Sequence, residues 1–185
     1  MSYKDVMIDL ETLDTRPGAV ILSLGAVFFD PVKGLGDAFH LIISRADSEL
    51  MGLTVSADTL AWWEKQSDEA KKTLHAASSV AALEPSAVFG EFNKFLSRAE
   101  GGASKVKLWG NGSDFDNVLL IAAYEAAGVK PNWRYYNHRC FRTLKKLAPA
   151  VKVDRQGTYH NALDDAKTQA EHAIKIYQHL GLYNA

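Results

Sequence analysis

With one cysteine, Cys140, in 185 residues, no disulfide within the chain can hold its fold together. No run reaches the roughly 18 apolar residues that a membrane-spanning helix needs. The opening MSYKDVMIDLE lacks the basic-then-apolar pattern of a secretion signal. A cytoplasmic protein is therefore expected. Excess charge is missing too: 21 Lys and Arg against 22 Asp and Glu leave a net −1, which argues against a strongly basic nucleic-acid coat. It does not exclude a nucleic-acid enzyme, because a basic rim around an acidic centre vanishes in the sum. Repeats, low-complexity tracts and linkers are also lacking, so residues 1–185 read as a single domain.

What is present is a change of period. Val6–Leu10, Ala19–Phe29 and Phe39–Ile43 are apolar runs separated by the turn-forming stretches Asp14–Gly18 and Asp30–Gly36, which predicts an antiparallel meander. Helical spacing then takes over at Ser56–Gln66, Asp68–Ala77 and Ser86–Ala99. After Gly101-Gly102, Val106–Trp109 reads as a buried strand, followed by a helix over about 113–127 with Ser113 as its cap. Trp133–Tyr136 reads as a last short strand, with helices over about Cys140–Leu147 and Ala162–Leu180. The expected class is α/β: a mixed central sheet of about five strands, meander first, flanked by helices.

Three acidic segments fall at the ends of these elements. In Asp9-Leu10-Glu11 the carboxylates are two apart on a strand and share a face. Like charges that close are unfavourable unless a cation lies between them, and alone such a pair is more commonly a solvated strand end. Asn111-Gly112-Ser113-Asp114-Phe115-Asp116 lies between a strand and a helix, where an acid also suits the helix dipole. Of its two acids, Asp116 is chosen for the site and Asp114 for the surface. His160-Asn161-Ala162-Leu163-Asp164-Asp165 opens the last helix. Taken together, Asp9, Glu11, Asp116 and Asp165 are four hard oxygen ligands, joined by the His160 imidazole. Carboxylates without paired cysteines or clustered histidines select magnesium or manganese over zinc.

Asp9-Leu10-Glu11, Asp116 and the His160-x-x-x-x-Asp165 spacing resemble the DEDDh, or DnaQ-like, 3′–5′ exonuclease family. Thr59-Leu60-Ala61-Trp62-Trp63, Trp109-Gly110-Asn111-Gly112 and Cys140-Phe141-Arg142-Thr143-Leu144 bring the likeness nearest to its phage and bacterial exoribonuclease-like and exodeoxyribonuclease-like branch. Asn161 stands where the sister tyrosine subclass carries its tyrosine, so the histidine subclass fits. The resemblance implies a ribonuclease H-like fold and two Mg2+ or Mn2+ ions held by Asp9, Glu11, Asp116 and Asp165. It implies His160 as the base for the attacking water, and release of 5′-mononucleotides from single-stranded RNA or DNA 3′ ends or 3′ overhangs, with RNA slightly favoured. A homodimer is a further expectation from the family.

Around this centre Leu10, Thr12, Leu13, Trp63, Asn111 and Arg139 are expected to bind substrate. Trp62 and Trp63 diverge by about 100° on a helix, so one belongs to the core; Trp63 is assigned to the terminal base. Arg134, Arg139, Arg142, Lys145 and Lys146 form a basic cluster that reads either as a phosphate contact or as a solvated helix face. Two other functions remain open at this point: a catalytically silent nucleic-acid-binding or assembly module on the same fold, and a nucleotide phosphatase.

Overall fold

The structure, a computed structural model, describes residues 3–155 and 157–182. Strands β1 (Asp5–Thr12), β2 (Ile21–Asp30) and β3 (Gly34–Ile42) form the meander. Helices α1 (Arg45–Leu50), α2 (Ala57–Glu64), α3 (Asp68–Ala77) and α4 (Pro85–Leu96) follow. Then come β4 (Lys107–Gly110), α5 (Asp116–Ala126), β5 (His138–Cys140), α6 (Phe141–Leu147) and α7 (Ala162–His179). The sheet order is β3-β2-β1-β4-β5, with β1, β2 and β3 antiparallel and β4 and β5 parallel to β1. This is the mixed five-stranded α/β sheet that the sequence predicts. No helix among the described residues is long and apolar enough to cross a membrane.

The two faces of the sheet are packed by different means. Val6, Ile8 and Leu10 of β1 and Leu24, Ala26 and Phe28 of β2 face one side, where Phe89, Phe92 and Phe95 of α4 and Leu119, Leu120 and Tyr124 of α5 cover them. Met7, Val27, Phe29 and Trp109 face the other, under Phe141 and Leu144 of α6 and a file of alanines on α7, Ala166, Ala170 and Ala173. The period-two alternation along β1 assigns Asp9 and Glu11 to this second face, in line with Met7.

Two local expectations are corrected, and one helix is added. The short strand predicted at Trp133–Tyr136 is displaced: Tyr135–Asn137 is a 3₁₀ turn and pairing begins at His138. Trp133 is buried instead between Tyr124 and Phe92, donating its indole N–H to His138 Nε2 at 2.9 Å. Helix α5 starts at Asp116 with Phe115 as its uncapped N-terminal residue, so Ser113 is not its cap. Helix α1, capped by the Ser44 hydroxyl, falls in a stretch without helical apolar spacing, so periodicity does not reveal it.

Candidate active site

Strands β1 and β4 run parallel, and their carboxyl ends open on the same crevice, the usual place for a ligand in an α/β sheet. Asp9 and Glu11 lie at this end of β1. Helix α7 delivers Asp165 to them by crossing unusually close to the sheet. The cause is Gly25, opposite Asp9 in the register: a Cβ there would overlap the Ala162 carbonyl at the start of α7. The alanine file of α7 then keeps that distance short along the helix. Asn161 caps α7, its side-chain oxygen accepting from Leu163 N and Asp164 N, both at 3.1 Å.

Asp116 arrives from the other side. Gly110 ends β4 without a side chain, and a Cβ there would stand 2.9 Å from Asp116 Cβ. The Asp116 carboxylate accepts from Asn111 N at 2.6 Å and is buried, while Asp114 is exposed, which is the assignment made from chain position. Carboxylate oxygens of Asp9, Glu11 and Asp165 all lie within 4.8 Å of one another.

Such a cluster is electrostatically unfavourable as it stands. Burial, with the charges of Asp165 and Asp116 added, pushes Glu11 up to about 8. Burial, then Asp116, Glu11 and Asp165, raises Asp9 well above the usual carboxylate range. Asp116 rises to about 6 through burial, held back by the backbone N–H groups around it. A hard divalent cation fits this donor set: it takes oxygen ligands, and its charge restores the ionised forms that burial disfavours.

His160 stands beside the cluster in a left-handed conformation, φ 60°, the one non-glycine residue with positive φ among those described. Such a backbone costs on the order of 1–3 kcal/mol and persists only where surroundings impose it. Here His160 N donates to Asp165 Oδ2 at 3.1 Å, and the ring packs edge-on against Trp62, 4.8 Å between centroids. Burial lowers the imidazole's pKa, with Asp165 opposing and Arg155 assisting, which favours the unprotonated ring that can accept a proton.

Beside these groups opens a cleft of about 550 Å³ lined by Leu10, Thr12, Ser56, Thr59, Trp62, Trp63, Asn111, Phe115 and His160. Of the residues expected to bind substrate, Leu10, Thr12 and Asn111 line this cleft. Leu13 does not: it is wholly buried in the core, its backbone held by Val20 and Ser56. Both tryptophans line the cleft, but Trp62 is the one that offers open surface. Trp63 is the core residue, 1% exposed and donating its indole N–H to Thr12 O at 2.9 Å, whereas Trp62 is 42% exposed beside His160. Arg139 lies outside the cleft, exposed on β5, with its guanidinium on the His138 carbonyl at 2.9 Å.

Two residues of the site are not apparent from the sequence. Gln169, one turn after Asp165 on the same face of α7, donates to Asp9 Oδ1 at 2.7 Å and orients that carboxylate. The i,i+4 step from Asp165 was the available signal. Arg155 pairs with Asp165, donates to Thr158 O at 2.7 Å and stacks 3.9 Å above the Tyr159 ring, bracing the loop that carries His160. Nothing in the local sequence distinguishes it from any loop arginine.

Known proteins share this architecture. The solved nuclease domain of 3′hExo, a DEDDh family member bound to rAMP, superposes with a TM-score of 0.65 at 15% identity, covering 98% of this chain and 94% of that one. A 3′-exonuclease solved with a histone mRNA stem-loop gives 0.62 at 15% identity, over 98% of this chain and 66% of that one. The fold is thus that of the DEDDh nucleases. An exodeoxyribonuclease of Enterobacteria phage T4 is 26% identical over 125 residues, 63% of this chain; the match spans about half, 54%, of that relative's length. The family model of the Rv2179c-like 3′–5′ exoribonuclease domain matches residues 4–177, nearly the whole chain, and to that family this chain belongs.

Proposed function

We propose that this chain is a two-metal-ion 3′–5′ exonuclease that trims single-stranded 3′ ends or 3′ overhangs, RNA before DNA, and releases 5′-mononucleotides. The observation that carries the reading is the convergence of Asp9, Glu11 and Asp165 on one point, with His160 beside them, at the wall of a cleft of about 550 Å³, while the buried Asp116 closes in from α5. The match to an exoribonuclease family supports RNA; the likeness to the phage exodeoxyribonuclease keeps DNA as the competing substrate.

Asp9, Glu11 and Asp165 would hold one magnesium or manganese ion, with Asp9 and Asp116 serving a second. Bound there, such ions supply positive charge to the attacking and leaving oxygens of an in-line displacement. The chain's own residues do the rest. Trp62 offers an indole face to the terminal base, a contact worth about 1–3 kcal/mol in other single-strand binders. Thr12 and Asn111 line the wall beside the sugar. His160 takes a proton from the attacking water, whose oxygen bonds to phosphorus as the P–O3′ bond breaks; the freed O3′ of the shortened strand takes up a proton. Gln169 keeps Asp9 directed into the centre.

Asp9→Ala is expected to abolish both metal binding and hydrolysis. His160→Asn, a side chain that tolerates the left-handed backbone, should leave metal binding intact and lower turnover about 10²–10⁴-fold. The deciding measurement is digestion of matched, labelled RNA and DNA, single-stranded and with 3′ overhangs, with magnesium and with manganese. A 3′-to-5′ ladder from RNA at the higher rate supports the proposal. Faster shortening of DNA would transfer the substrate assignment, and no shortening by the parent protein would refute the nuclease.

A further inference from the structure

One guanidinium ties the loop before α7 to the acidic centre. Arg155 pairs with Asp165 Oδ1 through one terminal nitrogen, and through the other donates to Thr158 O at 2.7 Å. Its central carbon lies 3.9 Å from the centroid of the Tyr159 ring. The second oxygen of Asp165 accepts from His160 N at 3.1 Å, so both oxygens of this carboxylate are engaged by the same loop. Among the described residues no other lysine or arginine forms an ion pair with Asp9, Glu11, Asp116 or Asp165. The Nε–H of Arg155 is buried without a partner among the described residues, a cost that packing leaves unexplained. Arg155 does not line the nucleotide cleft. It stands behind Asp165, in the wall of a second cavity of about 330 Å³ that also carries Lys145 and Lys152.

Two effects follow from this one position, and they act in opposite directions. A guanidinium on Asp165 repels any cation that shares that carboxylate. The same guanidinium fixes the two residues before His160, whose left-handed backbone, φ 60°, persists only while its surroundings impose it. Asp164 holds this loop as well, accepting from Thr158 N at 2.9 Å, but it brings no positive charge. We propose that Arg155 is a positioning residue that lowers the cation affinity of the site while holding His160 in line for the attacking water. The inference rests on the nuclease reading above, and it gives Arg155 no contact with substrate.

Two variants separate the charge from the brace. Arg155→Met removes both. Arg155→Lys keeps the charge but lacks the planar fork that reaches Asp165 and Thr158 O together. Manganese binding, followed by calorimetry without substrate, should tighten about tenfold in the Met variant, as expected when one unit charge is removed a few ångströms from a divalent ion in solvent. In the Lys variant it should stay near the parent value. At saturating metal, on whichever labelled strand the parent shortens faster, kcat should fall in both variants by up to about 10²-fold with KM little changed. In a His160→Asn background, Arg155→Met should cost no further turnover, because the group it positions is already gone. Tighter metal binding with slower turnover is a pattern that general loosening of the fold does not produce. Unchanged or weaker manganese binding in the Met variant overturns the opposition of charge, and parent kcat in the Lys variant overturns the brace. A full further loss in the His160→Asn background overturns the action through His160. A parent protein that binds manganese but shortens no strand refutes the nuclease reading, and the positioning of His160 falls with it, whereas the variants' manganese affinities still judge the charge.

Discussion

The two faces of the central sheet solve different problems. On one, Phe89, Phe92, Phe95, Leu119, Leu120 and Tyr124 bury large side chains against Val6, Ile8 and Leu10, and the aromatic rings stack and tilt on one another at centroid distances of 4.4–6.1 Å. On the other, α7 meets the sheet through alanines and over Gly25, giving up buried area for proximity. Large side chains hold a helix about 10 Å from a sheet; small ones let it approach until its first turn reaches the strand end. The first face supplies stability, and the second brings a carboxylate of α7 within reach of two on β1. Charge is concentrated where packing is thinnest in side-chain volume.

This contrast can be broken from either side. Phe92→Ala, on the aromatic face, should cost about 3–5 kcal/mol of unfolding free energy while leaving metal affinity per folded molecule unchanged, as chemical denaturation and calorimetry would show. A large loss of affinity would mean the faces are not separable.

Glu11→Gln should act in the opposite sense. Glu11 has a folded pKa raised from 4.5 to about 8, so the folded state binds its proton more tightly than the unfolded state does. Stability of the metal-free protein therefore falls as pH rises through that window, from about 4.5 to 8. Neutralising the group should raise the metal-free unfolding free energy at pH 8 by roughly 4 kcal/mol, flatten the pH dependence of the melting temperature, and remove hydrolysis. In the parent protein, magnesium or manganese should raise the melting temperature most at the alkaline end of the window. A metal-free melting temperature that climbs with pH across it would contradict the electrostatic account.

The smallest effect is expected from Gly25→Ala. One methyl group there pushes α7 off β2, at about 1–3 kcal/mol for overpacking, and should weaken metal binding out of proportion to that cost. Equal metal affinity in the folded variant would show that the close approach is not what assembles the site.

Much of the site was legible because it is written in short-range spacing. Asp9 and Glu11 share a strand face through a period of two, and His160 and Asp165 flank a helix start marked by Asn161. Asp116 was chosen over Asp114 because it follows the apolar Phe115, which can anchor the turn; that the helix begins between them, at Asp116, is a finding of the structure. The tryptophans were not legible, since both 100° directions on α2 are apolar and only the packing of Trp63 against the β1 backbone decides which is buried. Leu13 follows the acidic pair in the chain, but adjacency does not give direction into the cleft, and it is buried in the core; Arg139 was named from a local basic cluster, and charge along the chain does not say which face of the sheet edge it lies on. The strand at His138–Cys140 is three residues long, too short to carry a period against the aromatic run before it.

By itself the sequence determined the α/β class, the meander, the single-cysteine chemistry, the acidic set and the family it resembles. These follow from local period, turn composition and residue type. Tertiary structure alone decided the face each tryptophan presents, the Gln169 and Arg155 contacts, and the division of the crevice into an uncharged-to-acidic cleft and a basic cavity. Those depend on how close two distant elements come. Here that distance is set by Gly25 against Ala162 and by Gly110 against Asp116, pairs separated by 137 and 6 positions, whose meaning appears only when the chain is folded.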